Sequence, residues 1–389
     1  MNRCVQFSAL SLVLLLTACS SVGPLGERED YDVKKGPLLF KPATYRQVPE
    51  SQQADWNNAL QAFVRSCTTM GNKPVWQSVC ARALTTNADE AKAFFENEFV
   101  PWKVVRDDEK KGLSDNGLMT GYYEPMLRGS LTKTKLYRYP VYGVPDDLIA
   151  VDLTSLHPQL KGLRLRGKVV GRKLVPYDTR AGIEKRKDMS NNVLCWVDDP
   201  IDVFFLQIQG SGRVMLPDGT FIRIGFGDQN GHPYKAIGQW LIRNAGLTPE
   251  EMSMQRIRQW VRDNPRRSRE LLNYNPSYVF FEKKEGLRDE EGPVGAQGVP
   301  LTAGASVAVD RRFWSLGVPF LVQVEQTNPD MSYVRPVVAQ DTGGAIRGPI
   351  RFDYFWGYGD LAGKQAGQQK SNVNCWVLVP KGFTPRDVM

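Results

Sequence analysis

The spacing of apolar residues changes its period along this chain, and that change limits the folds open to it. Between 54 and 70, Trp56, Leu60, Phe63, Val64 and Cys67 recur at helical spacing. A second helix is predicted over 88–99, with Phe94, Phe95 and Phe99 facing the core. From Thr120 the texture gives way to short alternating runs such as Tyr137-Arg138-Tyr139-Pro140-Val141-Tyr142, punctuated by Gly143-Val144-Pro145-Asp146-Asp147. The run Asp202-Val203-Phe204-Phe205-Leu206-Gln207-Ile208-Gln209 reads as a strand that begins apolar and turns polar. Helices are predicted again over 234–244 and 249–263, each opened by a proline at or just before its first turn. A short third one is predicted over 267–272. Beyond Asn275-Pro276-Ser277 the chain reads as β to its end, with candidate strands at 278–281, 305–309, 320–324, 334–338 and 375–379. A helical start, a β middle and a β end predict a mainly β protein with helices. The pattern alone allows one domain inserted into another, or consecutive domains, and 389 residues suffice for two cores.

Composition narrows the chemistry. The chain has only two histidines, His157 and His232, both read as turn residues, so no HExxH helix and no three-histidine zinc site can be written. Acid–base work would fall to Asp or Glu, and neither metal nor cofactor is expected. The formal charge is +8, from 50 Lys+Arg against 42 Asp+Glu, which marks an anionic partner without identifying it.

The N-terminus has the layout of a secretory signal over 1–18: Arg3, an apolar run through Leu16, then Leu16-Thr17-Ala18-Cys19-Ser20. That ending resembles a bacterial lipobox, in which Cys19 would become the acylated first residue; a plain signal with a chance cysteine is the alternative. Ser20, rather than Asp, resembles the outer-membrane sorting signal. Residues 19–50, rich in Gly, Pro, Lys and Glu without periodicity, read as a lipidated tether. An envelope location permits disulfides. Cys67 and Cys80 are close in sequence, near the end of one helix and the start of another, and are the expected bridge. Cys195 and Cys375 precede Trp in apolar runs and are expected as buried thiols. No CxxC pair suggests redox or zinc chemistry.

The densest segment is Gln340-Asp341-Thr342-Gly343-Gly344 followed by Arg351-Phe352-Asp353-Tyr354-Phe355-Trp356. On a strand, Ile350, Phe352, Tyr354 and Trp356 share one face and Arg351, Asp353 and Phe355 the other. Asp353 then lies beside an aromatic ring, where desolvation raises a carboxyl's proton affinity toward that of a general acid. On residues alone, Asp341 serves equally as a turn former and Asp353 as an arginine's partner.

Three aspartates in these contexts, Val309-Asp310, Gln340-Asp341-Thr342-Gly343-Gly344 and Phe352-Asp353-Tyr354, resemble the three-aspartate (3D) domain of the membrane-bound lytic murein transglycosylase A (MltA) family. Further co-linear segments resemble the same family: Gly121-Tyr122-Tyr123-Glu124-Pro125, Tyr142-Gly143-Val144-Pro145, Gln207-Ile208-Gln209-Gly210-Ser211-Gly212-Arg213, Ile224-Gly225-Phe226-Gly227-Asp228, Asn275-Pro276-Ser277 and Gly292-Pro293-Val294-Gly295. The resemblance covers about 54–380. The resemblance implies a double-psi β-barrel domain from 51–121 plus 281–389, a smaller β domain inserted at 122–280, and a groove between them. It also implies cleavage of the β-1,4 bond between N-acetylmuramic acid and N-acetylglucosamine with a 1,6-anhydro product, and the catalytic role falls on Asp353.

Asp341 and Asp310 are then expected to support Asp353, or to serve only as structural hydrogen-bonding groups. Tyr122, Tyr123, Glu124, Gln207, Gln209, Ser211, Gly212 and Arg213 are candidate sugar-groove residues, and Arg213 and Arg351 could meet lactyl or peptide carboxylates. The expected partners are peptidoglycan strands, the outer membrane through the lipid anchor, and cell-wall synthesis or division complexes; nucleic acid is not expected. Two rival readings are a non-catalytic wall-binding lipoprotein and a hydrolytic glycosidase similar to barwin-like endoglucanases, with Asp341 as a second base.

Overall fold

Six strands close into a ring in the computed structural model, which describes residues 32–48, 54–108, 112–160 and 162–389. Around the ring lie Gly117–Glu124, Lys370–Pro380, Pro319–Glu325, Tyr333–Asp341, Ser306–Ala308 and Arg351–Tyr358, and the last pairs again with the first. Closure leaves no free edge among them. Two of the pairings are parallel, Ser306–Ala308 with Tyr333–Asp341 and Gly117–Glu124 with Arg351–Tyr358; the others are antiparallel. Phe320, Val322, Val337, Phe352, Tyr354, Val373, Cys375 and Val377 are all buried, and Cys375 is a free thiol among them.

The far half of Lys370–Pro380 carries the sheet outward, through Phe99–Asp108 to Leu38–Pro42 and Val33–Lys35. This corrects the tether reading of 19–50. Val33, Leu38, Phe40 and Val48 are buried in the main core, an apolar set too sparse to show as a period in the sequence. The signal segment, Cys19 and the rest of the tether lie outside the described residues. Among those that are described, no helix is long and apolar enough to cross a membrane.

Helices Trp56–Met70, Pro74–Ala83 and Ala91–Glu98 pack against the barrel side of this sheet. Asp55 starts the first by accepting from the Asn58 amide at 3.2 Å. Phe63, fully buried, meets Trp76, Phe94, Phe95 and Phe99 at ring-centroid distances of 5.5–6.1 Å. Cys67 and Cys80 are disulfide-bonded with their Cα atoms 5.4 Å apart. Cys80 stands in the second half of Pro74–Ala83, a helix absent from the sequence reading although Pro74 marks its first turn.

A second sheet runs in the order Val279–Lys284, Phe221–Gln229, Ser211–Met215, Met126–Ser130, Val193–Val197, Tyr139–Tyr142. A three-stranded sheet of Lys173–Pro176, Arg166–Val170 and Ile149–Ala150 accompanies it. Tyr122, Tyr123 and Glu124 belong to a barrel strand, and the residues from 281 to 284 to the second sheet.

The segment 202–209 is a helix, Pro200–Gln209, not a strand. The Asp199 side chain accepts from the Ile201 amide at 2.9 Å, Pro200 occupies the first turn, and Gly210 at φ 80° ends it. The misreading has a physical cause. Phe204 and Phe205 pack into a helical core with Trp240, Leu241, Trp260 and Leu271, while Val203 and Leu206 pack into the second sheet's core. A helix buried on two faces shows no polar stripe, so its periodicity is erased.

Packing around Phe63 gives a direct test. Phe63→Ala is expected to cost about 3–5 kcal/mol, the usual range for an aromatic core truncation, in urea unfolding of the disulfide-intact protein. A loss under about 1 kcal/mol would mean that the ring cluster relaxes and does not anchor the helices.

Candidate active site

The site is set by strand register. Asp353 faces Ala308 on one neighbouring strand and Thr120 on the other. Ala308 in turn faces Asp341 across its second edge, beyond a register shift after Val307. Asp353 and Asp341 thus flank a single small residue on three adjacent strands. Phe352 and Tyr354 turn into the barrel and are wholly buried, leaving Asp353 on the opposite face, partly exposed.

An aromatic wall covers this face. The Tyr122 and Phe355 rings lie 5.3 Å apart and pack with Leu301. The Tyr122 hydroxyl donates to Asp341 Oδ2 at 3.0 Å, and the Ala296 amide donates to Asp341 Oδ1 at 3.0 Å. Burial pushes Asp341 above the ordinary carboxyl range, against the pull of the Thr342 and Ala296 amides and of Tyr122. Burial also pushes Asp353 up, to about 6, against a hydrogen bond from Thr120 and the charge of Arg351, with Asp341 adding to the rise. Two neighbouring carboxyls in one desolvated setting are the arrangement that keeps a proton on one of them near neutral pH.

Asp310 lies apart from this pair. Its carboxyl is 1% exposed, takes paired hydrogen bonds from Arg312 at 2.6 and 3.0 Å, and accepts from the Gly348 amide at 2.8 Å. Burial opposes its charge, but Arg312 and the Gly348 amide outweigh it and hold the carboxyl below its ordinary range. Asp310 therefore fastens the loop that follows Asp341, helped by the Trp314 indole donating to the Pro349 carbonyl at 2.7 Å.

The other candidates from the sequence are mostly committed to the framework. Glu124, 1% exposed, accepts from Arg213 Nε at 2.8 Å and from Arg223 Nη2 at 3.0 Å. Arg213 also donates to the Asp289 and Glu291 carbonyls at 2.7 and 2.9 Å, and its guanidinium lies 3.8 Å from the Tyr358 ring centre. Gln207 is buried and accepts from Arg180 at 2.5 Å. Gln209 accepts from the Tyr123 amide at 3.1 Å, and the Tyr123 hydroxyl points to Met254 Sδ at 3.8 Å. Ser211 and Gly212 are buried in strand pairing with Gly225 and Ile224, and a Cβ on Gly212 would stand 2.5 Å from Leu206. This corrects the expectation that these side chains line an open sugar groove: Glu124, Gln207, Ser211, Gly212 and Arg213 are buried against protein partners. Of the eight, Tyr122 reaches the aspartates. Arg351 is held against its own sheet, donating to Thr120 Oγ1 at 2.9 Å and to the Phe352 carbonyl.

Thr120 escaped the sequence reading. Its signal was there: it stands two residues before Tyr122 and so shares its strand face.

A closed barrel bearing a desolvated aspartate pair, joined to a second sheet, places the chain among carboxyl-based barrel proteins. Comparison with known proteins makes the family specific. Residues 118–282 match the MltA specific insert domain and 305–379 the 3D domain. Membrane-bound lytic murein transglycosylase A of Escherichia coli K12 is 32% identical over 271 residues, 68% of this chain and 66% of that protein, just under two thirds of its length. The crystal structure of MltA from Neisseria gonorrhoeae superposes with a TM-score of 0.80 at 36% identity, over 92% of this chain and 97% of that one. E. coli MltA with bound chitohexaose superposes with a TM-score of 0.63 at 25% identity, over 84% and 90% of the two chains. The chain belongs to the MltA family.

The raised Asp353 carboxyl has a thermodynamic consequence. Folded, it holds its proton up to about pH 6, whereas its ordinary value is 3.8. Between those values the folded state binds more protons than the unfolded chain, so stability falls as pH rises through the window and levels off above it. The interval corresponds to roughly 3 kcal/mol at neutral pH. Asp353→Asn is therefore expected to be more stable than the wild type near neutral pH, by up to about that amount, and to lose the advantage near pH 4. Denaturant unfolding at the two pH values measures it; equal stabilities at neutral pH would show that the carboxyl is not desolvated.

Proposed function

We propose that this chain is a peptidoglycan lytic transglycosylase in which Asp353 alone supplies acid and base. The observation that carries the reading is a partly exposed carboxyl desolvated beside the Tyr122–Phe355 wall, which is pushed up to about 6. A group of that affinity is partly protonated near neutral pH and can both give and take a proton. Protonated Asp353 donates to the glycosidic oxygen as its bond to C1 of N-acetylmuramic acid breaks. The resulting carboxylate then takes the proton from the C6 hydroxyl as that oxygen bonds to C1. The 1,6-anhydro end forms, the acid is regenerated, and no water is consumed. An ordinary glycosidase needs two carboxyls, one of them free to act on water or on the sugar. Here Asp341 has both oxygens occupied by donors, which favours the intramolecular route over hydrolysis.

Family membership supports the reaction, and the chitohexaose complex of the E. coli relative supports a glycan as its substrate class. The two parallel pairings within the ring support a double-psi crossing of the barrel, with the second sheet as the inserted domain. The envelope reading rests on the lipobox-like ending at Cys19: a lipid anchor in the outer membrane, facing the periplasm, with cell-wall synthesis or division complexes as further partners. A charge of +8 suits an anionic glycan.

Digestion of purified sacculi, with the released muropeptides weighed by mass spectrometry, is expected to give anhydro ends. Reducing ends would make the protein a hydrolase, and no release a binding protein. Asp353→Asn is expected to lower release about 10²–10⁴-fold, the usual contribution of a positioned acid. Full lytic activity in that variant would remove Asp353 from the reaction. With the wild type, the rate should decline as pH rises past about 6, where the acid loses its proton.

A further inference from the structure

We propose that Thr120 is a positioning residue that fixes the working proton of Asp353 on Oδ2, and that Arg351 holds Thr120 in the orientation this requires. The inference rests on the reading of Asp353 as the acid, and it assigns which of its two oxygens meets the substrate.

The argument is one of donors and acceptors. A threonine hydroxyl has one hydrogen to give and lone pairs to receive. Arg351 is a donor only, and its Nη2 donates to Thr120 Oγ1 at 2.9 Å. The hydroxyl hydrogen of Thr120 must therefore point elsewhere, and it is given to Asp353 Oδ1. The chain Arg351 to Thr120 to Asp353 runs in one direction, and a guanidinium at its head polarises the hydroxyl further. Oδ1 is thus an acceptor in both protonation states of Asp353. A proton on Oδ1 would make Thr120 an acceptor on that side as well as toward Arg351, and its hydroxyl hydrogen would then have no acceptor among the described residues. The acid's proton is left to Oδ2. Among the described residues the Asp353 carboxyl makes no other side-chain hydrogen bond, so Oδ2 is the oxygen available to a ligand.

This matters because one residue gives and then takes a proton. The carboxyl torsion of an aspartate is soft and roughly two-fold, so an unrestrained carboxyl would often hold its proton on the wrong side. Pinned at Oδ1, Asp353 donates and recovers the proton at the same oxygen without rotating between the two steps. Register supports the pin. Thr120 and Asp353 are direct partners in a parallel pair, and Arg351, one strand position before Phe352, is tied to the Phe352 carbonyl. The other charged or titratable groups facing Asp353 are Arg351 on its own strand, Asp341 beyond Ala308, and Tyr122 on the Thr120 strand. Of these groups none hydrogen-bonds to its carboxyl.

The test compares Thr120→Val, which keeps a β-branched side chain and removes the hydroxyl, with Thr120→Ser, which keeps the hydroxyl. Soluble glycan strands from sacculi serve as substrate, and kcat, KM and the pH profile are measured. Thr120→Val is expected to lower kcat about tenfold with little change in KM, since a mispointed acid is an orientation defect. Its basic limb should move up by about one pH unit, because a hydrogen bond to the charged form has been removed. Thr120→Ser should recover most of both. Thr120→Val with wild-type kcat and an unmoved limb would overturn the proposal, as would Thr120→Ser behaving like Thr120→Val. Should Thr120→Val fold poorly by thermal melting, Arg351→Gln tests the same chain of donors: an unchanged kcat and limb there would also overturn it. Asp353→Asn separates the two levels. If that variant keeps lysis, the acid itself is misassigned. If it is inactive while Thr120→Val and Arg351→Gln match the wild type, only the positioning role fails.

Discussion

The pairing of Gly117–Glu124 with both Arg351–Tyr358 and Lys370–Pro380 is the contact on which the rest of this molecule depends. It closes the barrel, and the same eight residues carry the chemistry outward along one face. Thr120 reaches Asp353, Tyr122 reaches Asp341, and Glu124 ends the strand in an ion cluster with Arg213 and Arg223. Because side chains alternate, Tyr123 between them turns to the opposite face and packs against Ala362 and Ala366 of the helix Gly359–Gln368. One strand thus fixes the relative positions of two carboxyls and of the second sheet. A register slip of one residue would exchange the polar and packing faces together, which makes the register a strongly specified property of the fold.

The Glu124 cluster joins the two sheets through charge instead of apolar surface. A carboxylate and two guanidiniums with only 1–5% side-chain exposure carry a desolvation cost of several kcal/mol each. The cost is offset by geometry: the arginines also satisfy the carbonyls of Arg288, Asp289 and Glu291, and Arg213 stacks on Tyr358. An apolar contact of the same area would hold the sheets together while allowing them to slide. A carboxylate shared between two fixed forks admits few alternative positions, and precise placement is what a site built from both sides of a barrel strand needs.

Much of the site was legible because strands advertise their faces. The alternation through Phe352, Asp353, Tyr354 and Phe355 was enough to put Asp353 among aromatics, and the resemblance to the 3D domain singled out Asp341 and Asp310, of which Asp341 stands beside it and Asp310 apart. What remained hidden depended on partners distant in sequence. Arg213 and Glu124 lie 89 residues apart and Thr120 and Asp353 233 apart, so nothing local marks the first pair as a buried ion pair or the second as a hydrogen bond. The helix Pro200–Gln209 was hidden for a different reason, since burial on two faces removed the polar stripe that identifies a helix. Val33–Lys35 and Leu38–Pro42 add only a few apolar side chains to a core made elsewhere, below what periodicity can reveal.

Three aspartates of identical intrinsic chemistry are separated here by the number and kind of donors that each receives. Asp310 has a guanidinium and two backbone amides, those of Arg312 and Gly348, which outweigh its burial; it is held as an anion and acts as a clasp. Asp341 has only neutral donors, one on each oxygen, and they hold it between the Tyr122 hydroxyl and the Ala296 amide. Asp353 has one neutral donor on one oxygen, and burial outweighs that bond and the nearby charge of Arg351. Exchange of a proton with a ligand needs both an affinity close to the working pH and an oxygen left open. Asp310 fails the first condition, and Asp341 carries a donor on each oxygen where Asp353 keeps one oxygen without any. That division follows from which strand edge and which loop each carboxyl faces, and it does not require the aspartates to differ in any way visible in the sequence.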